Sequence, residues 1–156
     1  MRKDELLDTL RRSFDGDAWH GPAVTDAITG VTDVQAARRP PGGAHSIWEI
    51  TLHVAAWANE VARRLHGHPP AEPQEGDWPV TGGSWREAMQ RVNAARDRVV
   101  RRLEELTDAE LDTAVGGIRD PVLGTGFTYG GMIEGLAQHN AYHAGQIMLL
   151  RRVLSG

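Results

Sequence analysis

At 156 residues the chain has the length of one domain and enough of it to bury a core without staples. Hydrophobic residues make up 40% and charged ones 24%, and the formal net charge is −4, with arginines interleaved among Asp and Glu, so no basic footprint for nucleic acid is present. The absence of cysteine excludes a disulfide framework, a thiolate metal site and a cysteine nucleophile. The charged start Met-Arg-Lys-Asp-Glu-Leu-Leu has no signal-peptide core, and no apolar run approaches the ~20 residues of a membrane span; a cytoplasmic location is expected.

Residues 2–14 read as a helix with the stripe Leu6, Leu7, Leu10 and Phe14. Gly21-Pro22 opens a short helical piece carrying Val24, Ala27, Ile28 and Val31, and Thr32-Asp33 caps a further turn before Arg39-Pro40-Pro41-Gly42-Gly43 breaks the chain. Residues 46–66 form the second long helix. Ser46 and Glu49 have the spacing of a capping box, and Ile47, Ile50, Val54, Ala58, Val61 and Leu65 make the apolar stripe. His53 lies about 100° round from Val54, on the border of that stripe beside Trp57. Glu49 and Glu60 share that side of the helix but turn further outward.

Residues 67–83 are dense in Gly and Pro, and a connection of this length between helices often covers a site or an interface. Within it Trp78 either pins the loop to the helices or closes over a pocket. The third long helix runs from Ser84 to Leu106, with Ser84 and Glu87 repeating the capping pattern and the stripe Trp85, Met89, Val92, Val99, Leu103 and Leu106. Arg96 interrupts this stripe, as a side chain snorkelling to water or as a guanidinium offered to an anionic ligand. A short helical turn at 107–110 and a Gly-rich connection follow; the latter lacks the form of a phosphate loop.

The last helix, Tyr129 to Leu154, has Met132, Leu136, Ile147, Leu150 and Leu154 on one face. His143 stands at the centre of that face and His139 one turn earlier. Imidazoles four residues apart on a helix lie about 6 Å apart at Cβ and can share a metal ion. Four long helices without an alternating strand argue for an all-α, antiparallel four-helix bundle forming a single domain over 1–156, although the stripes leave open which helices are neighbours. Bundles build metal sites from inward side chains on facing helices, and the inward set here is His53, His139 and His143. Three neutral imidazoles suit Zn²⁺ and neighbouring divalent ions and leave a coordination position open. The H-x-x-x-H pair lacks the Glu of a zincin protease. Trp57, Trp78, Arg96, Tyr142 and Gln146 are the candidates to support the ligands or line a pocket.

The segments Ala44-His45-Ser46-Ile47-Trp48-Glu49-Ile50-Thr51-Leu52-His53-Val54-Ala55-Ala56-Trp57, Asp77-Trp78-Pro79 and Gln138-His139-Asn140-Ala141-Tyr142-His143-Ala144-Gly145-Gln146-Ile147 resemble the DinB-like (DinB/YfiT) superfamily of small four-helix-bundle metalloproteins. The resemblance covers essentially the whole chain. It implies a triad of one His on the second long helix and an H-x-x-x-H pair on the last, carried here by His53, His139 and His143. It also implies zinc or nickel as the ion and a homodimer. Some proteins of this kind are thiol-dependent transferases or isomerases using mycothiol or bacillithiol, and others are described as hydrolases. The expected function is therefore S-transfer or hydrolysis of a small electrophilic substrate, with a low-molecular-weight thiol as a possible cosubstrate and a metal-held water or thiolate as the reactive group. The alternative is a non-catalytic, metal-dependent ligand-binding or stress-response module. No general base is identifiable.

Overall fold

The computed structural model describes residues 2–155 and contains six α-helices: α1 (Arg2–Phe14), α2 (Val24–Ile28), α3 (Asp33–Ala37), α4 (Ile47–Leu65), α5 (Trp85–Glu105) and α6 (Tyr129–Leu154). Each long helix after α1 starts where a side chain satisfies its first amides. Ser46 accepts from Glu49 N at the start of α4, Ser84 from Glu87 N at α5, and Thr128 from Gly131 N at α6. At α4 and α5 the third residue bonds back to the cap amide, completing the capping box. The second helical piece begins later than Gly21-Pro22 suggests, at Val24, because Asp26 accepts from the amide of Ala23 and sets the entry there.

The four long helices form a ring in which α4 packs on α5 and α6, and α1 packs on the same two. Directions follow from the contacts between helices. Lys3 at the start of α1 reaches Asp108 beyond the end of α5, while Asp15 pairs with Arg96 further back, so α1 and α5 are antiparallel. Arg2 lies against Gly130 and Ser13 bonds Asn140, so α1 and α6 run parallel. Trp48 meets Trp85, and Arg102 donates to the carbonyl of Leu65, so α4 and α5 are also parallel. His53 faces His139 and His143, whereas Arg64 points to Gly124 just ahead of α6; α4 and α6 are antiparallel. The antiparallel bundle expected from the stripes is thus corrected to one with two parallel neighbour pairs.

A parallel pair of consecutive helices cannot be joined by a short turn. Residues 66–84 therefore travel back along the full length of α4. Arg63 bonds the carbonyl of Pro69, Glu60 accepts from the amide of Ala71, and Asp77 lies at His53 and Trp57. This return explains the length of the breaker-rich segment. It also explains why most residues of α4 are buried, those off its apolar stripe included: α5, α6 and α3 cover its other sides, and the crossover covers what remains.

Between α5 and α6 the short helical turn is a 3₁₀ turn at Glu110–Asp112, later than its cap Thr107, which exchanges hydrogen bonds with Glu110. A two-residue antiparallel pair, β1 (Ala114–Val115) with β2 (Phe127–Thr128), closes this connection. Two residues are too few to leave an alternation in the sequence. Gly126, at φ +79°, sits where a Cβ would come within 2.8 Å of Arg119, so the loop closes only with glycine there. No helix among the described residues is long and apolar enough to cross a membrane.

Candidate metal centre

α4 and α6 bring His53, His139 and His143 together. One ring nitrogen from each lies within 4.8 Å of the others, and the ring centroids are 4.4 to 4.9 Å apart. His53, on the border of its stripe by sequence, is only 5% exposed, because the crossover closes over it. His143 is equally buried, and His139 is half-buried.

Two of the rings are held in a definite orientation. His53 Nδ1–H donates to the carbonyl of Asp77 at 2.6 Å, and His143 Nδ1–H donates to Gln146 Oε1 at 2.7 Å. Both bonds place the proton on Nδ1 and leave Nε2 as a bare lone pair, the arrangement in which histidine ligates a metal. His53 Nε2 lies 2.9 Å from His139 Nε2. Two lone pairs at that distance repel unless a proton or a cation stands between them. The Nδ1 of His139 is buried without a hydrogen-bond partner, so its ring has no second anchor.

The environment keeps all three rings neutral. Burial, followed by the neighbouring His143 and His53, pushes His139 down to about 3. Burial and His53 push His143 down to about 4 against the opposing bond to Gln146, and burial lowers His53 as well. Neutral, converging imidazoles with directed lone pairs fit a divalent cation.

Trp78 is both pin and wall. Its ring stacks at 3.5 Å on His45 and at 4.0 Å on His53, which fixes the crossover to α4 and covers one side of the centre. Trp57 donates from Nε1 to Asp77 Oδ1 at 2.7 Å and presents its edge to His53. Asp77 thereby holds two residues of α4, His53 by its carbonyl and Trp57 by its carboxylate. Tyr142 is largely exposed and meets His143 edge-on at 5.0 Å.

Arg96 is not brought to the triad. It pairs with Asp15 and Asp97 on the outer side of α5, the snorkelling alternative. Glu49 caps α4 and pairs with Arg39. Glu60 corrects its sequence placement: it is not turned outward but buried, bound by Arg63, Arg64 and the amide of Ala71. Burial alone would raise its pKa, yet these hydrogen bonds outweigh it and hold the carboxylate below the usual range. The helical wheel could not show this, because the crossover and the last turn of α4 supply the partners. Sequence reasoning also missed Asp77 and His45 as individuals. The signal available for both was their position in segments dense in Trp and His.

Two of the cavities beside α4 border its C-terminal half. The larger, about 730 Å³, lies between α4, α5 and the crossover among Arg63, Arg98, Arg101, Glu60 and Glu75, and touches none of the three imidazoles. The other, about 490 Å³, runs between α4, α6 and residues 121–127 and reaches His139. Its position, rather than its size, connects it to the centre.

No curated protein sequence and no solved structure matched the chain. A protein-family model does match, over residues 18–147, a span that contains His53, His139 and His143. The chain belongs to the DinB superfamily.

Proposed function

We propose that this protein binds one divalent metal ion, zinc or nickel, through His53, His139 and His143, and is a metal-dependent enzyme: a thiol S-transferase or a hydrolase acting on a small electrophilic substrate. The observation that carries this reading is the convergence of three neutral imidazoles, the two buried ones, His53 and His143, held with the Nε2 lone pair free by Asp77 and Gln146. A divalent ion held by these three histidines would supply Lewis acidity to a bound substrate. The chain's own contribution is to bind and orient. The stacked Trp78 excludes water from one side of the centre, and the cavity at His139 provides an approach from another. A low-molecular-weight thiol is the cosubstrate under the transferase reading. In a homodimer, the exposed Tyr142, Leu149 and Val153 of α6 supply apolar surface for the contact.

The non-catalytic reading, a metal-dependent ligand-binding module, is favoured by one observation: the nearest carboxylate, Asp77, is already engaged by Trp57 and lies 3.3 Å from His53 Nδ1, on the side away from Nε2. The two readings separate in a turnover assay with electrophilic substrates, with and without added thiol.

The primary test is elemental analysis of tag-free protein. About one divalent ion per chain is expected in wild type, and its loss in His53→Ala and His143→Ala. Wild-type protein that stays metal-free after incubation with zinc and with nickel would refute both readings.

A further inference from the structure

The cavity that reaches His139 contains one feature at odds with its walls. Trp57, Phe127, Met132 and Leu136 make those walls largely apolar, yet Arg64 also lines them, with its side chain only 2% exposed. A buried guanidinium needs acceptors for five N–H groups. Arg64 Nε–H donates to Glu60 at 2.7 Å, one Nη2–H to the carbonyl of Ala71 at 2.9 Å, and one Nη1–H lies at a long 3.4 Å from the carbonyl of Gly124. Three of the five are engaged; the guanidinium also lies 5.7 Å from the centroid of the Trp57 ring, a contact that attracts the cation through the ring face but gives the two remaining N–H groups no oxygen acceptor. Charge is unbalanced in the same place, since the single carboxylate of Glu60 is shared between Arg63 and Arg64 and one positive charge is left over. The only carboxylate among the cavity's other lining residues, Glu134, is exposed, so solvent screens it.

We propose that this groove is the substrate site and that it selects elongated amphipathic anions, with a carboxylate on Arg64, an apolar body against Trp57, Phe127, Met132 and Leu136, and the far end directed to His139. The proposal deepens the metal-centre reading and rests on it only for what happens at that far end. Arg64 and His53 are eleven residues apart on α4, ~16 Å of axis. The long arginine side chain reaches back one turn to Glu60, which covers part of that gap. A ligand that spans the groove is therefore long, with its anionic head remote from the reacting end. Apolar burial supplies affinity and the buried guanidinium supplies selection, because a neutral analogue leaves its donors unpaired.

The test compares 6-phenylhexanoate with 6-phenylhexan-1-ol by calorimetry on full-length, metal-loaded protein. The carboxylate should bind roughly tenfold more tightly, the ratio expected of a charge-assisted hydrogen bond. A Glu60→Leu/Arg64→Met double variant, which removes both buried charges together, should bring the two ligands to the same affinity. Phe127→Ala, at a half-exposed wall position, should weaken both alike. A crystal of wild-type protein with the carboxylate should place it against Arg64 Nη1, which keeps the proposal testable if the double variant fails to fold. Equal affinities in wild type, a preference that survives the double variant, or a carboxylate bound elsewhere would each overturn it. The same titrations on His143→Ala separate this proposal from the metal reading. The carboxylate preference should persist there, because it originates at the Arg64 end, so loss of metal and loss of selectivity are independent results.

Discussion

His143 and His53 reach the same tautomer by different means. The acceptor for His143 is a side chain, Gln146, whereas the acceptor for His53 is the backbone carbonyl of Asp77. Substitution therefore acts on them unequally. Gln146→Leu removes the acceptor and frees the ring, and should weaken metal binding by about tenfold or more in a competition titration with a chelator, while helix content stays unchanged. Asp77→Ala leaves its carbonyl in place and loses only the carboxylate bond to Trp57, so a smaller effect is expected. Equal losses in the two variants would show that the loop, and not the ring hydrogen bond, sets the affinity.

The same rings make the metal-free protein sensitive to acid. Their pKa values in the fold lie below the 6.5 of a free imidazole, at about 4 for His143 and about 3 for His139, chiefly through burial. Between pH 6.5 and about 4 the unfolded chain binds protons that the folded chain does not, so stability rises with pH across this window and falls as the medium is acidified through it. Urea midpoints of the metal-free protein measured from pH 4 to 7 should follow that slope. The slope should flatten in a His139→Gln/His143→Gln variant, whose side chains do not titrate.

Among the elements, α4 and its returning crossover form the unit on which the centre depends. The crossover is fastened at both ends of its run: at one by Glu60 with Arg63, Arg64 and the amide of Ala71, and at the other by the His45–Trp78–His53 stack. Glu60→Leu leaves Arg64 buried without its carboxylate, and breaking a buried pair from one side costs roughly 3 kcal/mol or more. Chemical denaturation should report that loss. Hydrogen exchange at the amides of Ala71 and Glu72 should accelerate more than at Asp77, where the fastenings are separate. The capping boxes of α4 and α5 were legible from four residues each, because cap, amide and reciprocal carboxylate all lie within one turn. The fate of Glu60 was not legible, since its amide partner Ala71 lies outside the helix.

At the scale of the whole molecule, the ring order and the two parallel pairs decide how the faces of α6 are used. This helix packs against α1, α2 and α4, so Ile133, Ala137, Asn140 and Ala144 are buried as well as the stripe that includes His143. Asn140 is fully buried and bonds Ser13 of α1. Asn140→Leu would introduce a branched apolar group beside Ser13 with no room prepared for it. A cost of about 1–3 kcal/mol in a denaturation titration is expected, with metal binding retained because the ligands lie on another face.

The sequence by itself determined the long helices and the caps of α4 and α5, and it placed two histidines on an inward face of α6. Helical periodicity and capping are local, set by residues within a few turns of one another. The directions of the helices, the burial of His53 and Glu60, and the partners of Asp77 and Arg64 were decided only by the tertiary structure. Each depends on a crossover that returns along α4, and so on residues distant in the chain that no local pattern encodes.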